Sequence, residues 1–147
     1  MQIKRQLSKV IKGSKKSVLL LGPRQTGKST LIRSLEPDLE IDLSDQQVYL
    51  DFLKDPGLLK KRVGKSESIF IDEVQRIPSI LNTVQNLIDH NKNLKFYLTG
   101  SSARKLKRGE ANLLPGRLVN YHLGPLTLSE IGAAPDLERL LSIGSLP

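Results

Sequence analysis

Nine residues, Gly22-Pro23-Arg24-Gln25-Thr26-Gly27-Lys28-Ser29-Thr30, constrain the fold of this chain more than any other feature. They read G-x-x-x-x-G-K-S, and two different hydrophobic patterns flank them. Ser17-Val18-Leu19-Leu20-Leu21, just before, is a short apolar run that suits a buried strand. Leu31, Ile32 and Leu35, just after, fall on one face of a helix. A strand, a glycine-bounded loop and a helix in that order put the loop amides at a helix N-terminus, where they converge on an anion. Gly22 and Gly27 allow backbone angles and close approaches that a Cβ obstructs.

The pattern is that of a phosphate-binding loop. All of Gly22 to Thr30 is then nucleotide-binding segment. Lys28 adds a point charge for the β- and γ-phosphates. The Ser29 hydroxyl is placed to hold Mg²⁺, an ion that keeps most of its waters. A chance glycine turn is the competing explanation, and the flanking strand and helix disfavour it.

A second signal lies about 45 residues on. Ser68-Ile69-Phe70-Ile71-Asp72-Glu73 is an apolar run ending in two adjacent carboxylates. Successive strand residues point to opposite sides, and that rule loosens at a strand end. Asp72 is expected to reach the hydrated Mg²⁺ and Glu73 the attacking water, where a carboxylate acts as general base or orients the water. Two acids after a strand more often mark a helix N-terminus; the upstream loop favours the functional reading. Leu94-Lys95-Phe96-Tyr97-Leu98-Thr99 reads as a further strand ending in Thr99-Gly100-Ser101-Ser102, so Thr99 or Ser101 is the candidate sensor of the γ-phosphate or water. Arg117 precedes the strand Leu118–Leu123, from which an arginine can reach a neighbouring subunit's γ-phosphate. A surface arginine is the plainer alternative. Asp42, at the end of Leu39–Leu43, is read as a turn or capping acid before a site residue.

Composition narrows the class. The chain has 147 residues, 38% hydrophobic and 26% charged, which fits one globular domain with a real core. No apolar run approaches membrane-spanning length, the N-terminus is charged, and a cytoplasmic location is the default. With no cysteine, disulfides and thiolate metal sites are excluded. Six of the eight net positive charges lie in residues 1–16, on Lys4, Arg5, Lys9, Lys12, Lys15 and Lys16. Residues 36–55 hold seven acids against Lys54 alone, so the molecule is expected to be electrically polarised. A basic patch can attract nucleic acid, but no aromatics are interleaved with these bases, and a solvated helix face is favoured.

The remaining pattern fills in helices. Ile3, Leu7, Val10 and Ile11 mark a first helix ending at Gly13. Ser44 with Gln47 predicts a capping box for a helix through Leu53, and Asp55-Pro56 the start of another. Ile77 to Ile88 recur at helical steps, opened at Pro78 or Ser79 and closed near His90-Asn91. A short helix near Ala103 carries Arg104, Lys105, Lys107 and Arg108. Thr127 with Glu130 predicts a capped final helix.

In this order and spacing, GPRQTGKST, IFIDEVQRIP, FYLTGSSARKL and GRLVNYHLGPLTLSE resemble a bacterial and archaeal family of AAA-type ATPases. Its members carry an ATPase core followed by a second domain of unknown function. The resemblance covers about Lys4 to Ile131. It implies ATP and Mg²⁺ as ligands, with Gly27, Lys28 and Ser29 in the loop and Asp72 and Glu73 as the acidic pair. It further implies Thr99–Ser102 as the sensor segment and Arg117 as the arginine before the last core strand. The expected organisation is a basic helix over 1–16, an ATPase core over 17–131 and a tail over 132–147 that starts a second domain. A stand-alone core is the other possibility.

The expected fold is α/β, a three-layer P-loop NTPase sandwich whose parallel sheet has the order 5-1-4-3-2. Right-handed crossovers constrain that topology, and the nucleotide sits at the carboxyl ends of the strands. The expected function is Mg²⁺-dependent ATP binding and hydrolysis, with Glu73, Lys28, Thr99 and Arg117 catalytic and Ser29 and Asp72 on the metal. It would be coupled to a partner, a further domain or a homo-oligomer. A regulatory nucleotide-binding module with little turnover, and a small-molecule or nucleic-acid kinase, are the alternatives. The guanine-reading Asn-Lys-x-Asp motif does not occur, which favours ATP.

Overall fold

The computed structural model describes residues 5–101, 104, 106 and 114–131. Ile3, Ser102, Ala103, Lys105, Lys107, Arg108 and the tail beyond 131 lie outside the described residues. Five strands form one parallel sheet: β1 (Ser17–Leu21), β2 (Leu39–Asp42), β3 (Ser68–Asp72), β4 (Lys95–Gly100) and β5 (Leu118–His122). Their order is β2-β3-β4-β1-β5, the 5-1-4-3-2 arrangement expected from sequence. Helices α1 (Leu7–Gly13), α2 (Lys28–Arg33), α3 (Gln46–Lys54), α4 (Leu58–Val63), α5 (Ile80–His90) and α6 (Leu128–Ile131) accompany it, with a 3₁₀ turn at Val74–Arg76. Among the described residues no helix is long and apolar enough to cross a membrane.

Strand alternation sorts the core into two layers. Leu19, Ile69, Ile71, Phe96 and Leu98 face one side and pack with Phe52, Leu59, Ile80, Leu81 and Val84 of α3, α4 and α5. Val18, Leu20, Phe70 and Tyr97 face the other and pack with Ile11, Leu31 and Ile32 of α1 and α2. Burial on both faces is why β1, β3 and β4 read as continuous apolar runs. The edge strand β2 alternates instead, with Glu40 exposed and Ile41 buried.

Local signals were partly misassigned. The cap of α3 is Asp45, whose carboxylate accepts from the amides of Gln47 and Val48, not Ser44. Ser44 instead turns back, its amide and hydroxyl both donating to Asp42 Oδ1, so Asp42 is a turn acid as expected. The α4 helix begins at Leu58 and not at Pro56; Asp55 still caps the turn before it, its Oδ1 accepting from the Gly57 amide at 2.9 Å. The Thr127–Glu130 cap does form, with the Thr127 amide donating to Glu130 Oε2 at 3.0 Å.

Candidate nucleotide site

All five strands run the same way, so their carboxyl ends share one rim. The chain leaves β1 towards β2 at one edge and later reaches β5 on the opposite side of β1. A crevice forms where the order reverses in this way. There the loop after β1 and the turn after β3 face each other across an open cleft of about 790 Å³. Arg24, Gln25, Gly27, Lys28, Ser29 and Thr30 form one wall; Asp72, Glu73, Gln75 and Arg76 form the other, with Ser44 between.

The loop is built from inside. Gly22 has φ +154°, and a Cβ there would stand 2.1 Å from the Leu123 carbonyl oxygen. Its glycine is therefore required by the backbone after β5, as well as by the turn. Gly27, at φ +84°, occupies the left-handed region and hands the chain to α2. Thr26 is fully buried and its hydroxyl donates to the Pro23 carbonyl at 2.9 Å. Lys28 donates to that same carbonyl at 2.6 Å, so Pro23 holds both side chains. Burial lowers the Lys28 ammonium from its ordinary pKa, Glu73 and Asp72 pull it back up, and Arg24 pushes it down. Both acids therefore act on Lys28 across the cleft.

Register assembles the opposite wall. Ile71 lies beside Leu98, which brings Asp72 level with Thr99, and Leu21 lies beside Gly100. The buried Thr99 hydroxyl donates to Asp72 Oδ1 and accepts from the Glu73 amide at 3.3 Å. Glu73 sits at φ +59°, in the left-handed region uncommon for a residue with a side chain. Its carboxylate accepts from the Gln75 side-chain amide. Gln75 is in turn fixed on Ser101, donating to its hydroxyl at 3.0 Å and accepting from its backbone amide at 3.3 Å. Gly100 makes room for this, since a Cβ there would lie 2.9 Å from Gln75 Oε1.

The residues expected at the site do not all reach the cleft. Gly22, Pro23 and Thr26 shape the loop from behind, and Thr99 sits beneath the acids. Arg117 makes a two-pronged ion pair with Asp89 of α5, at 2.7 and 3.0 Å, and does not line the cleft. Three residues given no site role from sequence belong to the frame. Gln75 links Glu73 to β4. Arg76 donates to the carbonyls of Leu43 at 2.6 Å and Ser44 at 2.9 Å and lies over the Tyr49 ring, tying the second wall to the loop after β2. Arg5 donates to the Thr26 carbonyl at 3.0 Å. Gln75 and Arg76 follow Glu73 by two and three residues, a visible signal; Arg5 was hidden among the basic residues of the N-terminus.

Among the described residues no group of three or more His, Cys, Asp or Glu side chains can hold a metal alone. An oxygen-seeking ion here has the Asp72 carboxylate and the Ser29 hydroxyl, and must complete its shell with water and a ligand's phosphates. That donor set fits Mg²⁺, which is held by one or two protein groups and substrate oxygens.

The sequence pattern of a family described as AAA domain matches residues 14–132. Two curated relatives, the uncharacterized proteins Rv2008c of Mycobacterium tuberculosis and Mb2031c of Mycobacterium bovis, are each 35% identical over 134 residues. These matches cover 88% of this chain and 30% of each relative, so the chain spans under a third of their length. Among solved structures, AMPPCP-bound DnaA from Aquifex aeolicus superposes with a TM-score of 0.52 at 16% identity, covering 93% of this chain and 50% of that one. A structure of two coordinating Pif1 helicases at forked double-stranded DNA gives 0.58 at 12% identity, covering 96% and 48%. Both likenesses concern the fold. With the family pattern across most of the chain, the chain belongs to the AAA domain family.

Proposed function

We propose that the chain binds ATP with Mg²⁺ in this cleft and hydrolyses it. The observation that supports this most is the Thr99 hydroxyl bridging Asp72 and the Glu73 amide, on the wall facing Lys28. It gives the two acids separate environments and separate tasks. Lys28 exchanges the Pro23 carbonyl for the β- and γ-phosphates. The loop amides from Gly22 to Thr30 cradle the polyphosphate. Ser29 and Asp72 would hold Mg²⁺, which supplies charge neutralisation on the phosphate oxygens. Glu73 orients the attacking water and takes its proton. Thr99 keeps both acids aimed. Arg117, the arginine before β5, serves a neighbouring subunit after leaving Asp89. The greater length of the relatives supports coupling to a further domain, and a cytoplasmic setting suits the ligand.

One observation favours a second reading, a nucleotide-binding module with slow turnover. The Glu73 carboxylate is engaged by Gln75 and must be released before it can meet a water.

ATP turnover measured against protein concentration separates these readings. Wild type should hydrolyse ATP. Lys28→Ala should lose binding, and Glu73→Gln should keep binding while turnover falls roughly 10²- to 10⁴-fold, the range for loss of a general base. Turnover per chain that rises with concentration supports Arg117 acting between subunits. Binding without turnover in wild type supports the module, and unchanged ATP affinity in Lys28→Ala removes the loop from both.

A further inference from the structure

Arg5 is a cation with only 7% of its surface exposed, and it does not line the cleft. Its guanidinium reaches two stretches far from it in sequence, the loop after β1 and the segment 124–130. One nitrogen donates to the Thr26 carbonyl at 3.0 Å. A second donates to the carbonyls of Gly124 at 2.7 Å and Pro125 at 3.3 Å. The third donates to Glu130 Oε1 at 3.1 Å, and the Glu130 side chain is itself 5% exposed. Glu130 is committed on its other contacts, accepting from the Gln6 amide on Oε1 and the Thr127 amide on Oε2.

The Thr26 contact has a consequence for the cleft. A trans peptide unit is planar, so a carbonyl and the next N–H point in opposite directions. Neither Arg5 nor Thr26 lines the cleft and Gly27 does, so by holding the Thr26 oxygen Arg5 sets the direction of the Gly27 N–H. The same loop meets the chain after β5 a second time where Gly22 packs against the Leu123 carbonyl. The segment from Leu123 to Glu130 therefore touches both ends of the loop, directly at Gly22 and through Arg5 at Thr26.

We propose that Arg5 is a positioning residue of the phosphate loop and that, through Glu130, it couples nucleotide occupancy of the loop to the setting of α6. A polyphosphate that draws the Gly27 amide locks the Thr26–Gly27 peptide. Locking that peptide fixes the Arg5 guanidinium, whose remaining donors fix Gly124, Pro125 and Glu130. Removing either charge leaves the other buried and unpaired, which is costly, so the two residues act as one unit. The inference rests on the loop binding nucleotide as proposed above.

The test is titration of a fluorescent ATP analogue with Mg²⁺ into wild type, Arg5→Lys, Glu130→Gln and the double variant. Amide hydrogen exchange over 123–131 is followed with and without the analogue, and thermal unfolding checks that each variant is folded. Arg5→Lys keeps the charge but puts its donors on one nitrogen in place of the planar fork; Glu130→Gln keeps the shape. Each single substitution should weaken binding about tenfold, within the usual span of coupling between linked sites, and the double should be no worse than the weaker single. The analogue should slow exchange over 123–131 in wild type and not in Arg5→Lys. Equal affinities in wild type and both folded single variants, or protection of 123–131 that survives in Arg5→Lys, overturns the clamp and leaves the loop reading intact. Should Arg5→Lys not fold, Glu130→Gln decides by the same two readouts. A wild type that fails to bind the analogue overturns the loop reading and the clamp with it.

Discussion

Thr99 shows how one side chain can set a site without entering it. It is completely buried, two acidic residues depend on its hydroxyl, and the adjacent strand positions it. Valine has the same shape without the donor and acceptor. Thr99→Val should leave Asp72 Oδ1 and the Glu73 amide short of a partner, at about 1–3 kcal/mol of stability. Turnover should fall by more than the KM for ATP changes, and Thr99→Ser should restore it. Steady-state kinetics beside denaturant unfolding would read both; a valine variant with wild-type kcat would remove Thr99 from the positioning of the acids. Glu73 takes a left-handed conformation, φ +59°, where the chain enters the 3₁₀ turn. Strain of this kind persists only where surrounding contacts overdetermine it, and the Thr99 and Gln75 bonds are those contacts.

At the level of elements, the phosphate loop is less a free-standing motif than a segment clamped between β1 and the chain after β5. Leu123 donates its amide to the Leu21 carbonyl at 2.7 Å, and its own carbonyl fills the space a Gly22 side chain would need. Gly22→Ala therefore forces a backbone to move. Positive-φ strain alone costs about 1–3 kcal/mol, and the contact at 2.1 Å adds to it. The expected outcome is loss of stability by denaturant unfolding together with weakened nucleotide binding, because β5 and the loop shift as a pair. A Gly22→Ala protein as stable as wild type would mean that this backbone approach is not tight in solution.

For the molecule as a whole, the sheet brings the first and last described elements together. Arg5 and Gln6 meet Glu130 across almost the full chain. Burial alone pushes the Glu130 carboxyl up, but the amides of Thr127 and Gln6 and the Arg5 charge outweigh it and hold it below its ordinary 4.5. A depressed folded-state pKa contributes stability that is present above the unfolded value and lost as pH falls through the folded one. Wild type should therefore be more stable than Glu130→Gln near neutrality, and the gap should narrow below about pH 4.5. Thermal unfolding of both proteins from pH 7 to 3 checks it; a gap that stays constant would mean that the Glu130 charge plays no part.

The strand order followed from the P-loop fold that the family resemblance implies; the sequence alone determined the order of elements and the identity of the facing loop and acid pair. Those depend on local patterns: apolar runs of strand length, glycines at fixed spacing and acids at a strand end. Boundaries near caps were legible to within a residue or two; Ser44 lost the cap because the Asp45 carboxylate takes the Gln47 and Val48 amides, and α4 starts two residues after Pro56 because a turn precedes it. Only the tertiary structure decided that Arg5 leaves the basic face for the loop, that Gln75 holds Glu73 and that Arg117 pairs with Asp89. Each of those contacts joins groups brought together by the path of the chain, and a charged residue reads the same in sequence whether water or a buried carbonyl receives it.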